Sequence, residues 1–231
     1  MSLSHQQKPL SMLTRELISP SLPVLRLQDK VFNALQMMND CHVSHLPVAD
    51  SDKYAGLVSE ESLMQAPDDT VEIRELRESF PEISVQENDH FLKALQIAVE
   101  NRLSVIPVIS EEKQLLGVVS YRELLKQASE FMNVKDPGGL IVLEMENTNY
   151  SFSEISSLVE TNDAQITQLN TYTDPRTGIM QVTIKLNKTE VSDIIATFQR
   201  YEYNVKYYFG EELYENELRT NYNNLMNYLR L

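Results

Sequence analysis

The feature of this sequence that most constrains its fold is an internal repeat, in which three blocks recur in the same order about sixty residues later. The blocks are an apolar run that includes Ala-Leu-Gln, an apolar-Pro-Val run, and a Gly-apolar-apolar-Ser run. Their first members occupy residues 31–36, 46–48 and 56–59, and their second members occupy residues 91–96, 106–108 and 117–120. Three matched blocks in one order indicate a duplication, so the chain is expected to contain two units that share one supersecondary pattern.

Both copies show the same succession of predicted elements. A short strand precedes a helix whose apolar residues recur with a 3.6-residue period. An apolar strand with Pro-Val, a polar turn, a second apolar strand and a final helix follow. Asp29 and Asp89 are predicted at the start of the first helix of each copy, as an N-cap or in the first turn. We therefore predict a β-α-β-β-α unit at 10–70 and another at 71–130, after a disordered N-terminal segment at 1–9.

The duplicated pattern of apolar-Pro-Val followed by Gly-apolar-apolar-Ser resembles the CBS domain, and the tandem pair resembles a Bateman module. The resemblance implies that the copies pack around a pseudo-twofold axis and that the cleft between them binds an adenine nucleotide. The family motif for that ligand is Gly-x-x-Ser/Thr-x-x-Asp. Its hydroxyl and the helix N-terminus after it contact phosphate, and its Asp accepts hydrogen bonds from the ribose hydroxyls.

The two copies match this motif unequally. Copy one has the hydroxyl at Ser59, but Ser62 stands at the Asp position. Copy two has the hydroxyl at Ser120 and keeps a carboxylate at Glu123. Copy two is therefore the predicted nucleotide site and copy one is predicted to be degenerate. Helix N-capping alone is the alternative role for both Ser59 and Ser120.

Positive charge for a phosphate is scarce, because 20 basic residues stand against 34 acidic ones and the net charge is -14. The candidates near the cleft are Arg102 and Arg122 in copy two and His45 in copy one. Arg122 lies two residues after the capping serine and could reach a phosphate, although a solvated arginine on a helix face is the alternative. The acidic balance argues against nucleic-acid and membrane-surface partners. With a single cysteine and no clustered ligands, no metal site is predicted.

The second half follows a linker at 131–139 that ends in Pro-Gly-Gly. Residues 140–210 are predicted as β-α-β-β-α-β, the ferredoxin-like order. After a CBS pair, this block resembles an ACT domain, which implies side-by-side pairing and amino-acid binding at the first strand-to-helix loop. That loop offers Asn147, Asn149 and Ser151 as candidate contacts, and a polar loop with an N-cap is the alternative. Residues 211–231 have the spacing of an amphipathic helix that docks on its own domain or across a dimer.

The sequence thus predicts an α/β (α+β) protein of the cytoplasm: a tandem CBS β-α-β-β-α pair followed by a ferredoxin-like, ACT-like domain. The expected function is a regulatory sensor that binds AMP, ADP, ATP or another adenosyl ligand, with the ACT-like domain forming a homodimer or binding a second ligand. The alternative is a ligand-free module that binds a protein partner. We find no set of nucleophile and base and no Gly-rich phosphate loop. No catalytic residue is therefore assigned, no cofactor is required and an enzyme is not expected.

Overall fold

The structure, a computed structural model, describes residues 12–210. These residues form two compact units that divide between Phe131 and Met132. The predicted N-terminal segment at 1–9 and the predicted C-terminal helix at 211–231 lie outside the described residues. Within residues 12–210, no helix is long and apolar enough to cross a bilayer.

The first unit contains the two predicted copies of β-α-β-β-α, each built on a three-stranded sheet. Copy one consists of β1 (Leu25–Arg26), α1 (Val31–Cys41), β2 (His45–Asp50), β3 (Lys53–Ser59) and α2 (Glu60–Met64). Copy two consists of β4 (Val85–Gln86), α3 (Phe91–Glu100), β5 (Val105–Ile109), β6 (Leu115–Ser120) and α4 (Tyr121–Phe131). In each sheet the first two strands are parallel and the last two are antiparallel, so the duplication seen in the sequence is also present in the backbone.

The prediction for Asp29 and Asp89 was wrong in detail. The N-cap residues of α1 and α3 are Lys30 and His90. Each aspartate instead accepts a hydrogen bond from a backbone N–H three residues earlier, at 2.7 Å for Asp29 and 2.8 Å for Asp89. A short carboxylate side chain reaches its own turn as easily as a helix end, and here it closes the turn between the strand and the helix.

Each copy is completed by a segment that precedes the first strand of the other copy. The Ser19 N–H donates to the Val118 carbonyl at 2.8 Å, and the Leu57 N–H donates to the Pro81 carbonyl at 3.0 Å. The segment before β1 therefore lies on β6, and the segment before β4 lies on β3. Because of this exchange the two copies form one compact unit, and the ends of α1 and α3 line the same cavity.

The second unit has the predicted β-α-β-β-α-β order. Its elements are β7 (Leu140–Glu146), α5 (Phe152–Glu160), β8 (Ile166–Thr173), β9 (Ile179–Leu186), α6 (Ser192–Arg200) and β10 (Asn204–Phe209). The sheet has the antiparallel order β10-β7-β9-β8, which is the ferredoxin-like arrangement. Its core joins alternate residues of β7 and β9 to both helices, with Ile141, Val182 and Phe198 fully buried.

Candidate functional site

A cavity of about 860 Å³ lies within the first unit. Four parts of the chain line it: the segment before β1, the end of α1 with the turn after it, the end of α3 with the turn after it, and the start of α4. Its apolar wall includes Leu22, Val43, Val99 and Leu103. Cavities of this size, largely apolar with a few placed polar groups, are typical of small-molecule sites.

The start of α4 forms part of the cavity lining. Ser120 is the last residue of β6, and its Oγ accepts a hydrogen bond from the Glu123 N–H at 3.1 Å. Ser120 therefore caps the helix and also lines the cavity together with Tyr121 and Arg122. Because α4 is an eleven-residue helix, its N-terminus brings backbone N–H groups and the positive end of a helix dipole to the cavity.

The charge of the cavity is opposite in sign to that of the chain. Of the described residues that line it, the two with a permanent charge are Arg102 and Arg122, and none is a carboxylate. Neither guanidinium forms an ion pair within residues 12–210. Arg102 lies just after α3 in the left-handed backbone region with φ +54°, and His42 takes the same conformation with φ +54° just after α1. Two guanidinium groups without a carboxylate partner favour an anionic ligand.

Three of the predicted site residues, Ser120, Arg102 and Arg122, are thus brought together. Glu123 does not line the cavity, and its carboxylate instead contacts the Lys126 ammonium at 3.1 Å. That pair is largely exposed, and an exposed pair one helical turn apart contributes little to stability. In the chain, Glu123 directly follows the lining residues Tyr121 and Arg122, in the first turn of α4.

The two predicted residues of copy one, Ser59 and Ser62, bind each other across the first turn of α2. The Ser62 N–H donates to Ser59 Oγ at 3.1 Å, and the Ser59 N–H donates to Ser62 Oγ at 3.2 Å. The Ser62 hydroxyl also donates to the Ser59 carbonyl at 2.8 Å. This reciprocal capping box uses both hydroxyls, and neither residue is part of the cavity lining.

His45, the third candidate from copy one, does not line the cavity either. Its ring Nδ1 lies 3.2 Å from the Oγ of Ser104, which does line it. Burial lowers the pKa of His45 from its usual value. Sequence reasoning missed Ser104. The signal for it was its place in the repeat, where it is the counterpart of Ser44, next to His45.

A second, smaller cavity of about 530 Å³ lies within the second unit, beside the loop after β7 and the turn between α6 and β10. Asn149 and Ser151 line it, but Asn147 does not, because its Oδ1 accepts from the Thr173 hydroxyl at 3.3 Å. Ser151 caps α5 by accepting from the Glu154 N–H at 3.3 Å. Burial, and then a hydrogen bond to Glu154, raises the pKa of the lining Tyr203 to about 12.

The described residues of the two units contain no cluster of metal-binding side chains. Over residues 12–210 the structure contains no group of three or more His, Cys, Asp or Glu side chains that could hold an ion. Cys41 is at the end of α1 and lines the first cavity without such partners.

Comparisons with known proteins place the first unit in a family. The family model described as CBS domain matches residues 15–69 and again 73–130. The curated inosine-5'-monophosphate dehydrogenase of Methanocaldococcus jannaschii is 23% identical over 133 residues, which is 57% of this chain and 27% of that enzyme. The chain therefore spans about a quarter of the length of that relative.

Two solved structures are also similar to the chain. A CBS domain pair/ACT domain protein from Thermotoga maritima has 24% identity and a TM-score of 0.48, and the match covers 52% of this chain and 99% of that one. The CBS domains of a transcriptional regulator from Streptococcus pneumoniae have 20% identity and a TM-score of 0.44, with 50% of this chain and 98% of that one covered. It is the two family-model matches, on a repeat of β-α-β-β-α, that identify residues 15–69 and 73–130 as a tandem pair of CBS domains.

Proposed function

We propose that the CBS pair is a regulatory module that binds an adenine nucleotide in the cavity of the first unit, with copy two supplying the phosphate site. The observation that carries this proposal is that Ser120, Arg102 and Arg122 line one cavity whose described lining contains no carboxylate. In a chain of net charge -14, a small site with this excess of positive charge is selective for an anion.

The cavity offers a different chemistry to each part of such a ligand. The phosphate would accept hydrogen bonds from the guanidinium groups and from the N-terminus of α4, because charge-assisted donors of this kind suit phosphate oxygens. The base would lie against the apolar wall that includes Val43 and Leu22. The ribose would meet Glu123, whose exposed pairing with Lys126 at 3.1 Å is weak enough to open.

Ligand binding in this cavity would change the arrangement of the two copies that line it, and through them it would affect the rest of the molecule. A ligand that contacts Val43 of copy one and Ser120 of copy two prefers the arrangement in which both contacts are made, and therefore shifts the population toward it. The second unit, with its ferredoxin-like sheet and its cavity beside Asn149 and Ser151, would read out that shift as an ACT-like partner domain, through homodimer formation or a second ligand. We place the protein in the cytoplasm, and we propose no catalytic role for it.

The proposal is tested by thermal unfolding of the full chain with AMP, ADP, ATP, adenosylmethionine and amino acids. A ligand at roughly 100 times its dissociation constant stabilises the native state by about 2.7 kcal/mol, so AMP or a related nucleotide should raise the melting temperature by several degrees. The absence of a shift with every adenine nucleotide would contradict the proposal and would favour a module that binds a protein partner with both pockets empty.

Glu123→Ala and Ser62→Ala distinguish the two copies. The first removes the one carboxylate at a ribose position, whereas the second removes a hydroxyl that the α2 capping box already uses. We expect Glu123→Ala to weaken AMP binding by roughly tenfold, the effect of a lost hydrogen bond to a charged group, and Ser62→Ala to leave it unchanged. Isothermal titration with AMP measures both constants, and the reverse order would refute the choice of copy two.

A further inference from the structure

The two copies of the first unit meet at a small polar cluster directly behind the wall of the cavity. The cluster consists of Ser44, His45 and Ser104. The Ser44 N–H donates to Ser104 Oγ at 3.0 Å, and the Ser104 N–H donates to His45 Nδ1 at 3.3 Å. The hydroxyls of Ser44 and Ser104 both lie 3.2 Å from the same Nδ1. Of the three residues, only Ser104 reaches the cavity.

The protonation state of the ring follows from these contacts. A backbone N–H can only donate, so Nδ1 must accept the hydrogen bond from Ser104 and carries no proton. His45 is therefore neutral, with its proton on Nε2. Ser44 Oγ and Ser104 Oγ both lie within hydrogen-bond distance of the same Nδ1, so either hydroxyl can share its one lone pair with the Ser104 N–H. When the Ser104 hydroxyl does so, it points toward the ring rather than toward the cavity.

We propose that His45 is a positioning residue for the anion site and couples anion binding to proton uptake through Ser104. When Nδ1 gains a proton it becomes a donor to a serine oxygen, and the Ser104 hydroxyl is released to donate into the cavity. At the same time a positive charge appears behind the cavity wall. Both changes favour an anion, so a bound anion and a protonated His45 stabilise each other. This inference rests on the proposed function, because it acts on the same cavity.

Without a ligand, burial sets the direction in which the pKa of His45 shifts. Burial lowers the pKa of His45, and the loss of an acceptor for the Ser104 N–H opposes protonation further. Stability from the neutral ring is therefore complete above the unfolded-state pKa of about 6.5 and is lost as the pH falls through the lower folded-state value. A bound anion should move the His45 pKa back upward, by linkage.

Other titratable groups lie on the elements around the cluster and must be separated from His45. Glu60 and Tyr121 begin α2 and α4, and their N–H groups donate to the carbonyls of Ser44 and Ser104 at 2.9 Å each. Cys41 ends α1, whereas His42 and Arg102 lie on the turns that precede the two serines; all three line the cavity. His42 is the one that would imitate the effect, because a protonated ring at the cavity attracts an anion directly.

The experiment uses the full chain with His42→Gln and the probe adenosine 5'-sulfate, which does not take up a proton in this range as a phosphate monoester does near about pH 6. We expect its affinity to rise by roughly threefold or more between about pH 7.5 and about pH 5.5, as expected when a group near the site protonates in that window. Adding His45→Asn, whose Oδ1 can replace Nδ1 as acceptor, should make the affinity independent of pH. Ser104→Ala should reduce the pH dependence.

Resonances of the His45 ring, followed by NMR with and without the probe, give a second readout that a merely structural role would not change. The His45 pKa should rise when the probe binds. Probe binding with an unchanged His45 pKa, or with the same pH dependence after His45→Asn, would overturn the inference and leave the proposed function standing. If neither the probe nor AMP binds at any pH, the proposed function fails and this inference fails with it.

Discussion

Gly117→Ala is expected to lower the stability of the first unit by about 3 kcal/mol. Gly117 lies on β6 at φ +153°, in the region that favours glycine, and an added Cβ would lie 2.4 Å from Ile18 Cγ2. Strain in the backbone and overpacking each cost roughly 1–3 kcal/mol. Ile18 belongs to the segment that completes copy two from outside, so the substitution should loosen that exchange. Chemical denaturation of the full chain measures the change.

Gly178→Ala provides the matched control. Gly178 also has a positive φ, +72°, but an added Cβ would meet nothing within 4 Å. Gly178→Ala should therefore lower the stability by about 1 kcal/mol, from the left-handed conformation alone. Gly178 belongs to the second unit, so the first unit should be unaffected. If the two substitutions lowered the free energy of unfolding equally, the close approach of Ile18 would not be the reason that glycine is needed at position 117. Gly56→Ala, with its Cβ 2.6 Å from Phe80 Cβ, should resemble Gly117→Ala.

The double substitution Arg102→Gln with Arg122→Gln should have the largest effect on binding. Each guanidinium that donates to a phosphate contributes about 1.5–3 kcal/mol, the range for hydrogen bonds to charged groups. Losing both should weaken AMP binding by about 100-fold or more. The fold should be retained, because neither side chain forms an ion pair within residues 12–210. Isothermal titration and thermal unfolding measure the two quantities.

Arg74→Gln with Arg77→Gln changes the net charge by the same amount away from the cavity. These side chains are 58% and 55% exposed and pair with Glu72 and Asp50 on the surface. AMP affinity should stay within about twofold of the original value, because neither side chain lines the cavity and exposed charges are screened by salt. A similar loss in both double variants would attribute binding to overall charge rather than to the cavity.

The order of elements could be predicted from the sequence because periodicity and turn chemistry are local. The β-α-β-β-α-β order predicted for residues 140–210 is the order found, from β7 (Leu140–Glu146) to β10 (Asn204–Phe209). Where local signals compete, the prediction failed. Asp29 and Asp89 can cap a helix or close a turn, and the choice depends on backbone geometry that the sequence does not contain.

The site could be predicted only where the motif itself supplies the residue. Ser120 closes the repeated Gly-apolar-apolar-Ser block and Arg122 follows two residues later, and both line the cavity. Ser104 has no motif of its own, and its role depends on where β5 brings it relative to His45. The close approach of Ile18 to Gly117 brings together residues almost a hundred positions apart. It therefore follows from tertiary packing rather than from any local pattern.

The most direct test of the central claim is amide NMR of the full chain titrated with AMP, since it reports on both copies in one experiment. If the phosphate binds at the start of α4, saturable shifts should appear at Ser104, Tyr121 and Arg122. The corresponding amides at the start of α2, residues 59–62, should not move. Shifts confined to residues 59–62, or an unchanged spectrum at concentrations of AMP well above about 1 mM, a weak affinity for a nucleotide, would contradict the account.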